Sequence, residues 1–303
     1  MNNKLLGVIC AAAVWLFGFG PASAADEVLR PFVLASSGAG TVDSKLEATK
    51  AALTGQGFEI VGEYAPYAGA HVLVVTNDAL KENAAKSEFG GYGAAQRVAL
   101  TEVDGQVQVS YTNPVYMAYG YRMSGDLADV AQKLEAALGK QQDFGSEKGL
   151  TAKKLSKYHY MIGMQYFDDP SKLAKYGSYQ EAVQAVANSL AAGRGGASQV
   201  YRIDLPGKDE TVFGVKLTQG CSADEFIMGK IDFKSPRSTA HLPYELLVSG
   251  GDVYALHGRF RIAIDFPDLS MMGANSFASI MCAPGEIESA LTAAAGGEAK
   301  KSK

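Results

Sequence analysis

Residues 97–111 read RVALTEVDGQVQVSY, and this stretch decides the fold that the sequence predicts. After Asp104-Gly105, the apolar or aromatic side chains of Val107, Val109 and Tyr111 alternate with polar ones. Asp-Gly between two strand-like runs is the strongest short-range signal for a β-hairpin, because both residues of such a tight turn adopt a positive φ. The sequence therefore predicts two antiparallel strands, over 97–103 and 106–111.

Helix and strand signals surround this hairpin at short intervals. Thr41 to Ser44 offer N-caps for a helix that ends by Gly55, and leucine and valine at helical spacing predict a later helix. The expected elements are strands over 30–36, 58–64 and 71–76, and helices over 42–55, 78–86 and 126–138. They predict a first α+β domain over 25–138, in which helices cover one face of a small antiparallel sheet.

The second half repeats this order of elements after a polar, basic segment, 139–157, that we interpret as a linker. The expected elements are strands over 158–166, 200–205 and 211–217, and helices over 179–192 and 286–295. Residues 105–114 align without a gap on residues 258–267, at an offset of 153, which indicates an internal duplication. We therefore expect two tandem α+β domains, the second over 158–296, followed by a disordered tail over 297–303.

The N-terminus has the pattern of a signal peptide. Lys4 precedes an apolar run, and Ala22-Ser23-Ala24 places small residues at the cleavage site. The alternative is a membrane anchor, but the run is short of the roughly 20 residues that spanning requires. We expect cleavage after residue 24, export to the periplasm and no integral membrane segment in the mature protein.

Charge and cysteine content limit the partners and the redox state. Lysine and arginine number 28 against 32 acidic residues, which gives a net charge of −4 and makes nucleic acid a poor partner. Cys221 and Cys282 remain after export into an oxidising compartment, so a disulfide between them is the leading interpretation. Two buried free thiols and a redox-active pair are the alternatives.

The first half resembles the domain of unknown function 302 family. The residues that carry the likeness are Thr41-Val42 through Gly57-Phe58-Glu59-Ile60, and the segment VQVSYTNP at 107–114. The resemblance covers about residues 31–138 and implies a compact domain with helices on an antiparallel sheet, but no assigned activity. Where family members often place an acidic residue and a histidine, this chain has Gly62-Glu63-Tyr64-Ala65.

A tyrosine-rich cluster after the hairpin is the most unusual local composition in the chain. Tyrosine combines an apolar face with a polar tip and suits recognition surfaces, so we consider the cluster a candidate ligand site. The alternative is that these side chains pack at the edge of a sheet. The candidate ligand-binding residues are Tyr111, Asn113, Tyr116, Tyr119, Tyr121 and Arg122.

Metal-binding and catalytic signals are weak. The four histidines form no local ligand pair, and His257 is expected in a turn. His159 and Met161 would share one face of the strand expected over 158–166, where imidazole and thioether donors suit copper(I) or haem iron. Packing is the simpler role for them, so the leading expectation is no cofactor. No serine or cysteine stands in a recognisable catalytic motif.

The sequence thus predicts an exported, non-enzymatic binding or accessory protein. Its partner would be a small molecule or another periplasmic protein, bound between the two copies or beside the tyrosine-rich turn. The alternatives are a soft-metal or haem protein that uses His159 and Met161, and a periplasmic hydrolase or redox enzyme.

Overall fold

The computed structural model describes residues 27–297, and it has the expected α+β composition. The predicted signal peptide (1–24) and residues 298–303 of the predicted tail lie outside the described residues. Within 27–297, no helix is long and apolar enough to cross a membrane.

The first half contains seven strands and four helices. They are β1 (Val28–Leu29), β2 (Phe32–Ala39), α1 (Val42–Gly55), β3 (Glu59–Tyr64), β4 (Ala70–Thr76), α2 (Asp78–Ala85), β5 (Gln96–Val103), β6 (Gln106–Thr112), α3 (Pro114–Gly120), α4 (Ala128–Leu138) and β7 (Gln142–Phe144). The second half begins with β8 (Leu150–Thr151), which pairs with β1. The elements after it are α5 (Ala152–Leu155), β9 (Ser171–Lys175), α6 (Tyr179–Ala191), β10 (Ala197–Asp204), β11 (Glu210–Leu217), α7 (Asp224–Ile231), β12 (Tyr244–Ser249), β13 (Asp252–Ala255), α8 (Gly258–Asp265) and α9 (Ala283–Ala294).

The hairpin predicted from residues 97–111 is confirmed and forms the centre of the first sheet. Val103 pairs with Gln106 across the turn, and Asp104 and Gly105 have φ values of 51° and 75°. Both turn residues are therefore left-handed, as a tight hairpin requires. Strand pairing is antiparallel throughout, in the order β3-β4-β5-β6-β2-β7.

The second sheet has the order β10-β11-β12-β13-β9, which matches the order β3-β4-β5-β6-β2 of the first. The expected strand over 158–166 is wrong, because that segment is a loop and the strand that occupies its place is β9. Alternation of tyrosine with other residues predicts a strand there, but the Met164 N–H donates to the Met161 carbonyl and closes a turn over residues 161–164 instead.

The ungapped alignment at offset 153 is also wrong. It places the β6 hairpin on residues 258–265, which form α8, whereas the second hairpin turns at Gly250-Gly251. His257, expected in a turn, caps α8 by accepting a hydrogen bond from the Arg259 N–H at 3.2 Å. Asn113 caps α3 in the same way. The duplication itself stays a prediction.

The two sheets pack face to face, and most of the helices cover their outer faces. Alternation along each strand divides its side chains between two layers. On β4, Leu73 and Val75 join the outer core with α1 and α4, while Val72 and Val74 point into the core between the sheets. Because the two halves share this middle core, the division into two separate domains is not confirmed.

The segment 139–157, interpreted as a linker, contains regular structure that belongs to both halves of the protein. β7 extends the first sheet by pairing with β2, and β8 pairs with β1 near the N-terminus of the described chain. Its polar composition reflects a position at the edge of a sheet, where one side of each strand faces solvent.

The predicted disulfide is confirmed. Cys221 and Cys282 are bonded, with their Cα atoms 5.9 Å apart and a sequence separation of 61 residues. The bond connects the turn before α7 to the start of α9, so it fastens two helices that cover the second sheet.

The two sheets meet most closely where β3 crosses β10. Each of these edge strands has a bulge, between Ile60 and Gly62 in β3 and between Gln199 and Tyr201 in β10. A Cβ atom on Gly62 would lie 2.2 Å from the Val200 carbonyl oxygen, so only glycine allows this approach.

We predict that Gly62→Ala destabilises the protein by roughly 3 kcal/mol, because the backbone of β10 must move to admit the methyl group. Denaturant unfolding followed by circular dichroism measures this change. The matched control is Gly55→Ala in α1, where an added Cβ has no neighbour within 4 Å. Equal stability of the two variants would show that the crossing is not tightly packed.

Candidate functional site

A cleft of about 580 Å³ lies at the junction of the two halves. One wall is formed by Arg30 and residues 142–147, which include β7 and the turn after it. The opposite wall comes from residues 231–238, after α7, and from the loop that follows α8. The cleft is therefore formed mainly by connections and edge elements, and the two sheets support it.

Hydrogen bonds within one wall and between the two walls hold the turn after β7 at one end of the cleft. The Arg30 guanidinium donates to the carbonyl oxygens of Ser146 and Glu147, at 2.8 and 3.0 Å. The Asp268 carboxylate accepts from the Ser146 hydroxyl at 3.3 Å and from the Glu147 N–H at 2.5 Å. These contacts tie the turn after β7 to the second half, so the shape of the cleft is set without a ligand.

Asp232, the residue after α7, is the most unusual polar group of the cleft. Its side chain is buried, and Oδ1 accepts a hydrogen bond from the Ser238 N–H at 2.8 Å. Oδ2 has no hydrogen-bond partner among the described residues. Burial raises the pKa of Asp232 to about 7, although the Ser238 N–H and the charge of Arg237 oppose this shift.

Charges and aromatic rings share the lining. Four carboxylates, Asp143, Glu147, Asp232 and Asp268, outnumber the two cations, Arg30 and Lys234. Lys140 pairs with Asp143 at 3.0 Å, and Lys234 lies 3.6 Å from Glu147. The apolar part of the lining consists of Phe144, Ile231, Phe233, Pro236, Phe266 and Leu269. This combination suits a small molecule that has an apolar body and a hydrogen-bond donor.

None of the six tyrosine-cluster candidates lines this cleft. Tyr116 and Tyr121 are buried in the core between the sheets, where the Tyr116 hydroxyl donates to the Ile264 carbonyl at 2.7 Å and Tyr121 stacks on Phe167. Tyr111 packs in the outer core of the first sheet. These three tyrosines hold the fold together.

The other three candidates lie around α3. Asn113 is the N-cap of this helix and accepts from the Val115 N–H at 3.1 Å. Arg122 forms an ion pair with Asp168 at 2.5 Å, and Tyr119 is half-buried against the middle core. The structure divides the six residues between the outer core of the first sheet, the core between the sheets and the ends of α3, and their role in ligand binding stays a prediction.

His159 and Met161 lie in the loop over 158–166. The His159 Nδ1 is 2.8 Å from the Met161 carbonyl oxygen, and its ring packs on Tyr166 at 4.4 Å between centroids. Within residues 27–297, no group of three His, Cys, Asp or Glu side chains is placed to hold a metal ion. Thioether ligands such as Met161 are a separate donor class, and copper or haem binding by His159 and Met161 also stays a prediction.

Comparison of the chain with protein-family models, with curated proteins and with solved structures finds no match. The resemblance of the first half to the domain of unknown function 302 family therefore stays a prediction.

The sequence predicts a site between the two copies or beside the tyrosine-rich turn, but it does not identify the residues that line this cleft, because the walls come from segments without a local signal. Residues 142–147 belong to the segment that we interpret as a linker, and residues 231–238 contain no recognisable motif. The available hint was composition: Asp232, Ser235, Pro236 and Ser238 form a cluster of turn-forming residues between two regular elements.

We predict that Asp232 makes the folded protein less stable as the pH rises from about 4 to 7. Burial raises the pKa of Asp232 to about 7 in the folded state, above the 3.8 of an aspartate in the unfolded chain, so the folded state binds the extra proton in this range. Stability gained from that proton is present at low pH and is lost as the pH passes 7. Asp232→Asn removes this contribution.

The measurement is the difference in unfolding free energy between the native protein and Asp232→Asn, taken across this pH range. The difference is needed because Asp224, whose pKa burial also raises to about 7, gives the same trend. Burial lowers the pKa values of His241 and His257, and these give the opposite trend. A difference that does not change with pH would contradict a raised pKa at Asp232.

Proposed function

We propose that this protein is an exported, non-enzymatic binding or accessory protein of the periplasm, and that it binds a small molecule in the cleft between its two halves. The observation that carries the proposal is the cleft itself, together with the buried and incompletely paired carboxyl group of Asp232.

The size and lining of the cleft support this role. Ligand pockets commonly enclose roughly 300–1,000 Å³ and combine apolar walls with a few polar groups. The cleft falls within that range, at about 580 Å³. Phe144 and Phe266 offer apolar surface on opposite sides, and the carboxylates favour a ligand that donates hydrogen bonds, such as an amine.

The rigid setting of the cleft also supports binding. Phe144 of one wall belongs to the core between the sheets, Ile231 and Phe266 of the other wall belong to the outer core of the second sheet, and Arg30 and Asp268 fix the turn after β7. A site whose groups are already held in place loses little conformational entropy when a ligand enters.

The lining supports a binding role better than a catalytic one. The described residues that line the cleft include serines and carboxylates but no histidine or cysteine, so no serine has an imidazole base beside it there. We also infer that the two halves derive from one ancestral unit. The shared strand order supports this inference, and the equivalent bulges in β3 and β10 do so as well.

We predict that a small amine bound in the cleft raises the melting temperature by about 5 °C at a concentration of roughly 100 times its Kd. A thermal-shift screen of amines, with anions, sugars and peptides for comparison, measures this effect. Asn275 is exposed and lines the cleft, so Asn275→Trp fills the space and abolishes the shift.

Gln132→Trp is the matched control, because Gln132 is exposed on α4, which covers the outer face of the first sheet. This variant keeps the shift. A compound that raises the melting temperature of all three proteins equally binds elsewhere, and a screen without any active compound contradicts ligand binding.

Export has its own test. We predict that protein recovered from the periplasmic fraction of an expressing bacterium begins at Ala25. It then contains no tryptophan, because the single tryptophan is Trp15. Intact mass spectrometry and the absence of tryptophan fluorescence measure this. Full-length protein retained in the cytoplasm would contradict the export proposal and would leave the cleft proposal standing.

A further inference from the structure

Two neighbouring loops expose an unusual number of methionines. The first, the 158–166 loop, follows α5, and the second, the 267–282 loop, lies between α8 and α9. They contain five of the nine methionines of the chain. The exposed apolar side chains of these loops are Ile162 (96%), Met272 (78%), Met281 (68%), Met161 (44%) and Met271 (36%).

The backbone of the first loop holds Ile162 outward. Met164 donates its N–H to the Met161 carbonyl at 3.0 Å, which makes Ile162 and Gly163 the central residues of a turn. Gly163 has a φ of 82°, which glycine adopts without strain. The most exposed large apolar side chain described is therefore at the tip of an ordered turn.

Hydrogen bonds fasten this loop to the rest of the protein. The Tyr158 hydroxyl donates to the Ala263 carbonyl at 2.8 Å, and the Tyr160 hydroxyl donates to the Leu269 carbonyl at 2.7 Å. The second contact joins the two methionine-bearing loops directly. They therefore form one surface, which we call the methionine surface.

The charge around the methionine surface is opposite to that of the protein. Residues 148–167 contain four lysines and no acidic residue, and the 267–282 loop contains one charged residue, Asp268, near its start. The whole chain has a net charge of −4. Lys148, Lys153, Lys154 and Lys157 are exposed, and none of them forms an ion pair with any residue in 27–297.

The acidic groups that flank these segments in the sequence already have partners. Asp168 pairs with Arg122, and Asp169 accepts a hydrogen bond from the Tyr166 N–H at 3.1 Å. Glu147 lies 3.6 Å from Lys234, and Asp268 accepts a hydrogen bond from the Glu147 N–H. The lysines are therefore free to attract an external anion, and the same loops carry exposed apolar side chains.

We propose that the methionine surface docks on an anionic phospholipid bilayer. Ile162, Met161 and Met272 enter the boundary between headgroups and acyl chains, and the lysines lie at the level of the phosphates. Exposed apolar side chains beside lysines are the combination by which peripheral proteins bind anionic membranes.

A protein partner fits these observations less well. Protein interfaces are enriched in methionine, arginine and aromatic residues and depleted in lysine. The methionines and tyrosines of this surface therefore fit either kind of partner, and the four lysines beside them, with Ile162 held out at the tip of a turn, favour an anionic membrane. The 267–282 loop also lines the cleft through Leu269, Ser270 and Asn275, so the cleft would lie beside the bilayer.

The test is co-sedimentation of the mature protein with vesicles of phosphatidylglycerol and phosphatidylethanolamine, compared with vesicles of phosphatidylcholine. We expect binding to the anionic vesicles that weakens with added salt. Combined Lys153→Glu, Lys154→Glu and Lys157→Glu substitutions reduce the apparent affinity by at least about tenfold. The matched control, Lys133→Glu, Lys175→Glu and Lys230→Glu, changes the net charge equally on other exposed surfaces and keeps most of the binding.

Substitution at the tip tests the apolar part. Ile162→Ser weakens binding several-fold, whereas Ile162→Leu retains it, and neither affects folding because the side chain is 96% exposed. Three results would overturn the proposal: no binding to anionic vesicles, equal loss in both triple-lysine variants, or self-association without vesicles that Ile162→Ser abolishes. The last result would assign the surface to a second copy of the chain. None of these results bears on whether a small molecule binds in the cleft.

Discussion

The structure depends on a network of buried charges between its two sheets. Arg97 on β5 pairs with Glu245 on β12, and Arg261 on α8 pairs with both Glu245 and Asp265. All four side chains are buried. Removing one partner from a buried pair leaves a charge without compensation and costs about 3–5 kcal/mol. Because Arg97 belongs to the first half and the other three to the second, separating the halves would leave Arg97 without a partner and would remove one of the two arginines that pair with Glu245. This constraint favours one body in which the two sheets stay packed together.

The network also determines the state of His241. Burial and the charge of Arg261 lower its pKa to about 4, so the ring is neutral near pH 7. Its Nδ1 is 2.7 Å from Asp265, and its Nε2 is 3.1 Å from the Tyr244 hydroxyl. Burial alone would raise the pKa of Asp265, but Arg261 and His241 lower it overall. The His241 ring packs against Phe266, whose side chain also lines the cleft. The core of the molecule therefore supports one wall of the candidate site.

Local signals in the sequence were sufficient for the elements that depend on local chemistry. The Asp104-Gly105 turn, the Thr41 cap of α1 and the cysteine pair all appear as predicted. Errors arose where tertiary contacts decide the structure. In residues 158–166, tyrosines alternate with other residues as in a strand. The hydroxyls of Tyr158 and Tyr160 nevertheless donate hydrogen bonds to α8 and to the loop after it. The alignment at offset 153 matched a hairpin with a helix, because a short apolar run fits the two-residue period of a strand as well as the 3.6-residue period of a helix. Nothing in the sequence places Arg97 beside Glu245, which lies 148 positions away, and the cleft depends on that kind of long-range placement.

The differences between the halves coincide with the two proposed sites. The sheets repeat the same order, but β7 and its turn extend only the first sheet, and the long 267–282 loop lies between α8 and α9 of the second half. β7 and its turn form one wall of the cleft, and the 267–282 loop contributes to the cleft and to the methionine surface. Connections tolerate insertions because they lie outside the packed layers, and a rigid scaffold can hold them in place. Here the scaffold is held together by a buried network that joins the halves, so segments from both halves can form one cleft. A small molecule in that cleft would contact the loop that also carries Met271 and Met272, and this physical continuity connects the two proposed binding functions.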